Sequence, residues 1–173
     1  GWHVTGNPGE HNMDKLWAPW RISYIKGKRT KGCLFCGVDK SAKKKDYFVF
    51  KTEYSFCLLN IFPYNNGHLM VSPRRHVKDL SYLKDEEMLD LIKALLLAKK
   101  LLTKVLKPEG FNIGINVGSV AGAGIPGHLH IHIVPRWKGD TNFMPVLGGT
   151  KIISQSLNEL HKHLRQAMQK NSP

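Results

Sequence analysis

The sequence predicts an α+β domain: an antiparallel sheet of about five strands with a long central helix and a C-terminal helix. Three observations carry that expectation. His128-Leu129-His130-Ile131-His132-Ile133-Val134 alternates strictly, the signature of a strand with two unlike faces. Residues 85–106 repeat apolar side chains at helical spacing. Between residues 47 and 73, short apolar runs are separated by turn residues, the pattern of an antiparallel meander.

Residues 1–12 have no apolar run and no periodicity, and Met13 follows them. They read as an appended remnant outside the fold, with residues 13–173 forming one domain. Leu16-Trp17-Ala18-Pro19-Trp20-Arg21 reads as an aromatic arm. A basic loop leads to Gly32-Cys33-Leu34-Phe35-Cys36-Gly37, and the polar residues 38–46 read as an exposed loop. Tyr47–Phe50 and Ser55–Asn60 are strands. Pro63, Asn65, Asn66 and Gly67 mark a turn, and His68–Pro73 is the third strand. The helix over 85–106 opens on Asp85, Glu86 and Glu87, which suit its positive end, and Pro108 follows its last turn. Phe111–Val117 is the fourth strand. The glycine-rich run Gly118–Gly124 leads into His128–Val134, the fifth. A Gly-rich loop over 138–149 precedes an amphipathic helix over about 152–169.

The formal net charge is +13, with lysine and arginine clustered at 26–31 and lysine at 43–45. Such a charge attracts polyanions, nucleotides first; nucleic acid is compatible with it but not favoured, because stacking aromatics are sparse near the clusters. No apolar run reaches membrane-spanning length, so a cytoplasmic protein without a membrane partner is expected. Three cysteines without a secretory signal argue against a disulfide framework. Cys33-x-x-Cys36 is ambiguous alone. Gly37 excludes c-type haem attachment, a redox pair lacks its usual βαβ setting, and zinc needs two further ligands.

On the alternating strand, His128, His130 and His132 share one face with next neighbours about 6.5–7 Å apart. Imidazole serves as metal ligand, acid or base, and nucleophile. Neutral imidazole attacks a phosphoanhydride without prior deprotonation and splits one hard displacement into two easier ones. The adjoining glycines permit backbone N–H groups to approach phosphate oxygens.

From about Leu16 to Met144 the chain resembles the histidine-triad family of nucleotide hydrolases and transferases, on its three histidines and the flanking Asn66-Gly67-His68, Ser72-Pro73-Arg74-Arg75-His76 and Pro135-Arg136-Trp137-Lys138-Gly139-Asp140. The flanks are most similar to its bacterial diadenosine tetraphosphate phosphorylase branch. The resemblance implies that His130 is the nucleophile, that His132 contacts the scissile phosphate, and that His68 helps hold the nucleophile. It places Asn116 on the phosphate and Asn60 on the ribose, with Ile61 and Phe62 lining the base pocket. Arg136 and Asn142 belong to the implied substrate set, Arg136 with Lys138 near distal or incoming phosphate. Many family hydrolases carry Gln-Ser or Gln-Thr shortly before the triad; here Ala123, Gly124 and Ile125 stand there. Backbone donors of the loop, around Gly122 and Gly124, are expected instead.

The resemblance also completes the cysteine pair. Several bacterial members join this C-x-x-C with two histidines, here His76 and His128, in a Cys2His2 site for structural zinc on the N-terminal arm. Homodimers are common among such proteins. The implied activity is phosphoanhydride cleavage through nucleotidyl-His130: phosphorolysis of diadenosine tetraphosphate to ATP and ADP, or hydrolysis to ATP and AMP. A phosphoramidate or nucleotidyl hydrolase, and a non-catalytic basic nucleotide- or nucleic-acid-binding module, are the alternatives.

Overall fold

The computed structural model describes residues 32–41, 47–140 and 153–170. Trp17, Trp20, both basic clusters and Asn142 lie outside them. In chain order the elements are α1 (Leu34–Ser41), β1 (Phe48–Lys51), β2 (Ser55–Leu59), β3 (Leu69–Pro73), α2 (Asp85–Leu106), β4 (Gly110–Ile115), β5 (Ile131–Arg136) and α3 (Leu157–Gln169). The strands form one sheet in the order β1-β2-β3-β5-β4. Every neighbouring pair is antiparallel. The expected α+β architecture is therefore present, with the long helix and the C-terminal helix in place.

Strand alternation sends side chains to two different cores. Leu59, Leu69, Val71, Ile131 and Ile133 join Leu91, Ala94, Ala98, Leu101 and Leu102 of α2 and Leu160 and Leu164 of α3. The opposite face carries a smaller cluster of Phe48, Phe56, Leu58 and Met70, closed by Phe35 and Val38 of α1. The site histidines stand beside this second cluster, so α1 covers the functional face of the sheet.

The α1 helix corrects the sequence reading, which treats residues 38–46 as an exposed loop. Phe35 and Val38 lie three apart and both bury on the sheet. An eight-residue helix with one such pair carries too little periodicity to be recognised. The second correction concerns β5, expected to begin at His128. Ladder pairing begins at Ile131, opposite Val71 and Ile115. Upstream, β3 has ended at Pro73, whose carbonyl accepts from His128 Nε2–H at 2.8 Å. The backbone of Leu129 is satisfied elsewhere: its N–H donates to Val77 O at 2.6 Å and its carbonyl accepts from Ser72 Oγ at 2.7 Å. His128–His130 keep the alternation without the ladder.

Acidic residues open α2, and Glu87 Oε2 accepts from the Lys84 N–H at 2.9 Å. Glu87 also receives two bonds from the Arg75 guanidinium, at 2.7 and 2.6 Å. Arg75 and the Lys84 N–H together hold the Glu87 carboxyl down at about 2. The segment carrying His76 is thus tied to the start of α2. Among the described residues no helix is long and apolar enough to cross a membrane.

Gly67 sits at φ +81, and a Cβ there would meet Leu106 Cδ1 at 2.5 Å and Pro135 Cγ at 2.9 Å. Gly67→Ala is expected to lose about 2–4 kcal/mol, from left-handed strain plus overpacking. Urea unfolding checks this; an unchanged midpoint would show that the turn relaxes freely.

Candidate functional site

The site is built where the β2–β3 connection, the entry to β5 and α1 meet. His130 is 5 % exposed and His128 1 %, so the triad face is covered rather than open as a half-exposed strand would be. His130 Nδ1 lies 2.8 Å from the His128 carbonyl. A carbonyl only accepts, so Nδ1 carries the proton and Nε2 keeps its lone pair. The Phe35 ring packs on His130 with centroids 4.8 Å apart, and on His128 at 5.2 Å. His130 also makes an edge-to-face contact with His132, with centroids at 4.8 Å.

His132 Nδ1 is 2.9 Å from His68 Nε2. His68 is fully buried and stacks under the half-exposed Tyr64 ring at 4.7 Å. Burial pushes His132 down to about 4, and depresses His130 as well. Both rings are therefore neutral near pH 7, the state in which imidazole is a nucleophile or a directional hydrogen-bond partner.

Asn60 ends β2 beside His68, with Nδ2 3.3 Å from His68 Nδ1 and Oδ1 accepting from the Phe62 N–H at 2.9 Å. Ile61 is 46 % exposed on the adjoining rim, and Phe62 is half-buried. Asn116 follows β4 and lies against Gly122, its Nδ2 3.8 Å from where a Cβ of residue 122 would stand. Gly122 takes φ +89 and closes a short 3-10 turn over Ser119–Ala121; Gly124 is exposed. Arg136 is four residues beyond His132 on β5, roughly 13 Å along the strand. It pairs bidentately with Asp140, both bonds 2.7 Å, and donates to Asn112 Oδ1 at 2.8 Å. The structure thus gathers His68, Asn60, His130 and His132, with Arg136 at the far end of the strand.

A second cluster abuts the first. Cys33, Cys36, His76 and His128 have ligand atoms all within 4.8 Å of one another. Cys33 Sγ is 3.3 Å from His128 Nδ1, Cys36 Sγ is 3.6 Å from the same atom, and Cys36 Sγ is 3.4 Å from His76 Nδ1. A tetrahedron with zinc–sulfur and zinc–nitrogen bonds of ordinary length has S···N edges of about 3.5 Å. The tautomer agrees: Pro73 O accepts from His128 Nε2–H, leaving the Nδ1 lone pair facing the thiols. The donor set therefore fits tetrahedral zinc.

Two residues at the site escape a reading by residue type. Phe35, inside the C-x-x-C, is fully buried against His130; the only available signal is its place between the two cysteines. Tyr64 contributes its ring and also its backbone N–H, which donates to His68 Nδ1 at 3.0 Å. A main-chain donor leaves no trace in residue identity.

Comparison with known proteins agrees with this fold. The HIT domain matches residues 41–139. A Mycobacterium tuberculosis protein named AP-4-A phosphorylase is 35% identical over 161 residues, covering 88% of this chain and 83% of its own. The asymmetrical bis(5'-nucleosyl)-tetraphosphatase of Schizosaccharomyces pombe is 36% identical over 91 residues, 53% of this chain and 50% of its own. Among solved structures, a hypothetical histidine triad nucleotide-binding protein from Sulfolobus tokodaii has a TM-score of 0.64 at 27% identity, covering 80% of this chain and 93% of its own. With the fold, the three alternating histidines and these matches in agreement, the chain belongs to the HIT domain, or histidine-triad, family.

Proposed function

We propose that this chain is a nucleotidyl transferase that cleaves diadenosine tetraphosphate through His130 and passes the adenylyl group to inorganic phosphate. The observation that carries the reading is the state of His130: a buried neutral ring whose Nδ1–H is held by the His128 carbonyl, leaving Nε2 as the nucleophile. Nε2 forms a bond to the α-phosphorus while the bridging P–O bond breaks and ATP departs. The ring becomes a nucleotidyl-imidazolium, and the His128 carbonyl opposite Nδ1–H stabilises its positive charge. Phosphate oxygen then attacks the same phosphorus, the N–P bond breaks, and ADP leaves with His130 neutral again. The 35% identity to a protein named AP-4-A phosphorylase supports phosphate as the acceptor. His132 meets the phosphoryl oxygens, and Asn116 with the Gly118–Gly124 loop holds the polyphosphate.

We assign Cys33, Cys36, His76 and His128 to a structural zinc, which when bound supplies a rigid tetrahedral tie between α1 and the start of the triad. With all four positions filled by protein, it leaves no place for a metal-bound water. A homodimer is supported by the edge strand β4, where Ile113 is 48 % exposed beside exposed Asn112 and Gly114.

Incubation with diadenosine tetraphosphate, with and without inorganic phosphate, followed by ion-exchange chromatography, tests the reading. ATP plus ADP, formed only with phosphate, is expected. ATP plus AMP in both tubes makes the chain a hydrolase. No product in either tube removes this substrate and redirects the search to phosphoramidates and to binding without turnover.

A further inference from the structure

Which nitrogen carries the proton can be traced through this site from main-chain donors alone. The Phe62 backbone N–H can only donate, and its acceptor is Asn60 Oδ1 at 2.9 Å. That settles the orientation of the Asn60 amide, so it is the Nδ2–H group that faces His68 Nδ1 at 3.3 Å. The Tyr64 backbone N–H also can only donate, and it points to the same Nδ1 at 3.0 Å. A ring nitrogen receiving N–H groups holds no proton, so the proton of neutral His68 is on Nε2. There it donates to His132 Nδ1 at 2.9 Å. His132 in turn must carry its own proton on Nε2.

We propose that Asn60 is a positioning residue: acting with the Tyr64 N–H, it sets the tautomer of His68 and thereby makes His132 a hydrogen-bond donor at Nε2. His130 has the opposite arrangement, because its Nδ1 faces a carbonyl. The two adjacent rings thus present unlike groups, a lone pair on His130 and an N–H on His132. The pair is matched to a phosphoryl centre, where phosphorus is attacked while an oxygen gathers negative charge. Asn60 also shapes the turn that brings the Tyr64 N–H into place, through its bond with Phe62. This role is separate from the ribose contact, for which Asn60 retains one N–H and one lone pair. The catalytic consequence rests on the function proposed above; the tautomers do not.

The test is long-range ¹H–¹⁵N spectroscopy of the full chain labelled with ¹⁵N-histidine, near pH 7 and without substrate. A proton on Nε2 of His68 and of His132, and on Nδ1 of His130, is the expected pattern. A protonated Nδ1 on His68, or an unprotonated Nε2 on His132, overturns the proposal whether or not the chain cleaves any dinucleotide. Asn60→Asp keeps an acceptor for the Phe62 N–H but faces His68 with an acceptor instead of a donor. It should move a proton onto His68 Nδ1; an unchanged spectrum removes Asn60 from the arrangement and leaves Tyr64 alone. With substrate, Asn60→Ala is expected to slow the first turnover at saturation roughly tenfold, a loss in kcat beyond any rise in KM from the missing ribose contact. A rise in KM alone, with the tautomers intact, assigns Asn60 to ribose binding and overturns the positioning role.

Discussion

His130→Ala is expected to abolish formation of a nucleotidylated protein and to lower turnover roughly 10⁴–10⁶-fold, the scale seen when a covalent nucleophile is removed. Nε2 of His130 is the ring nitrogen that the His128 carbonyl leaves with a lone pair, whereas His132 and His68 are joined to each other through Nδ1 and Nε2. Nothing in that pair replaces the lost lone pair. Nucleotide binding should survive within a few-fold, because the loop and rim contacts are untouched. Mass spectrometry of protein mixed briefly with substrate reads the intermediate directly. Removing a ring packed against Phe35 also opens a cavity, so His130→Asn, which keeps a polar side chain nearer the original size, is the companion variant. A nucleotidylated protein in either variant would move the nucleophile to another residue. Retained turnover with no covalent species would replace the two-step mechanism by direct attack of the acceptor.

Much of this site is legible in the sequence because it depends on residue type at fixed spacing. Alternation alone separates His128, His130 and His132 from Leu129, Ile131 and Ile133, and the structure sends the latter three into the helix-covered core. The α2 helix is legible for the same reason, its boundaries marked by three acids at one end and Pro108 after the other. What stays hidden is what the backbone does. The start of β5 depends on where its neighbour β3 ends, a tertiary fact with no local signal. The tautomers depend on the N–H groups of Phe62 and Tyr64 and on the His128 carbonyl; any residue but proline could supply the former, and any residue at all the latter. The Cys2His2 set is intermediate. Its cysteines are visible as a pair, but the pairing with His76 and His128, both distant in sequence, follows from family resemblance and not from spacing. Arg136 shows another hidden layer: its nearness to the triad in sequence suggests phosphate, while its bonds to Asp140 and Asn112 depend on how the fold brings those residues together.

Removing the proposed zinc is expected to weaken the fold and to slow the chemistry together, because among the described residues α1 is docked mainly by two buried side chains and an exposed ion pair. Phe35 and Val38 bury on Phe48, Phe56, Leu58 and Met70, and Asp39 pairs with Arg74 at 3.0 Å. Arg74 is well exposed, so that ion pair contributes little. Release of α1 would expose Phe35 and Val38, about 3–6 kcal/mol at roughly 1.5–3 kcal/mol per buried side chain, besides the sheet side chains they cover. In a domain of this size that corresponds to a fall in Tm of roughly 10 °C. His130 feels the same loss twice, since Phe35 packs on its ring and His128 supplies the carbonyl for its Nδ1–H. Cys33→Ser and Cys36→Ser should therefore lower zinc content, Tm and the rate of His130 nucleotidylation together, with binding of nucleotide reduced much less. Metal analysis, calorimetry and a single-turnover assay on the same samples check this. Phe35→Ala separates the two effects: it should keep the metal, because all four donors remain, yet slow nucleotidylation. Normal nucleotidylation in metal-free protein would instead show that the triad holds its geometry through the sheet alone, with the cysteines serving only the stability of α1.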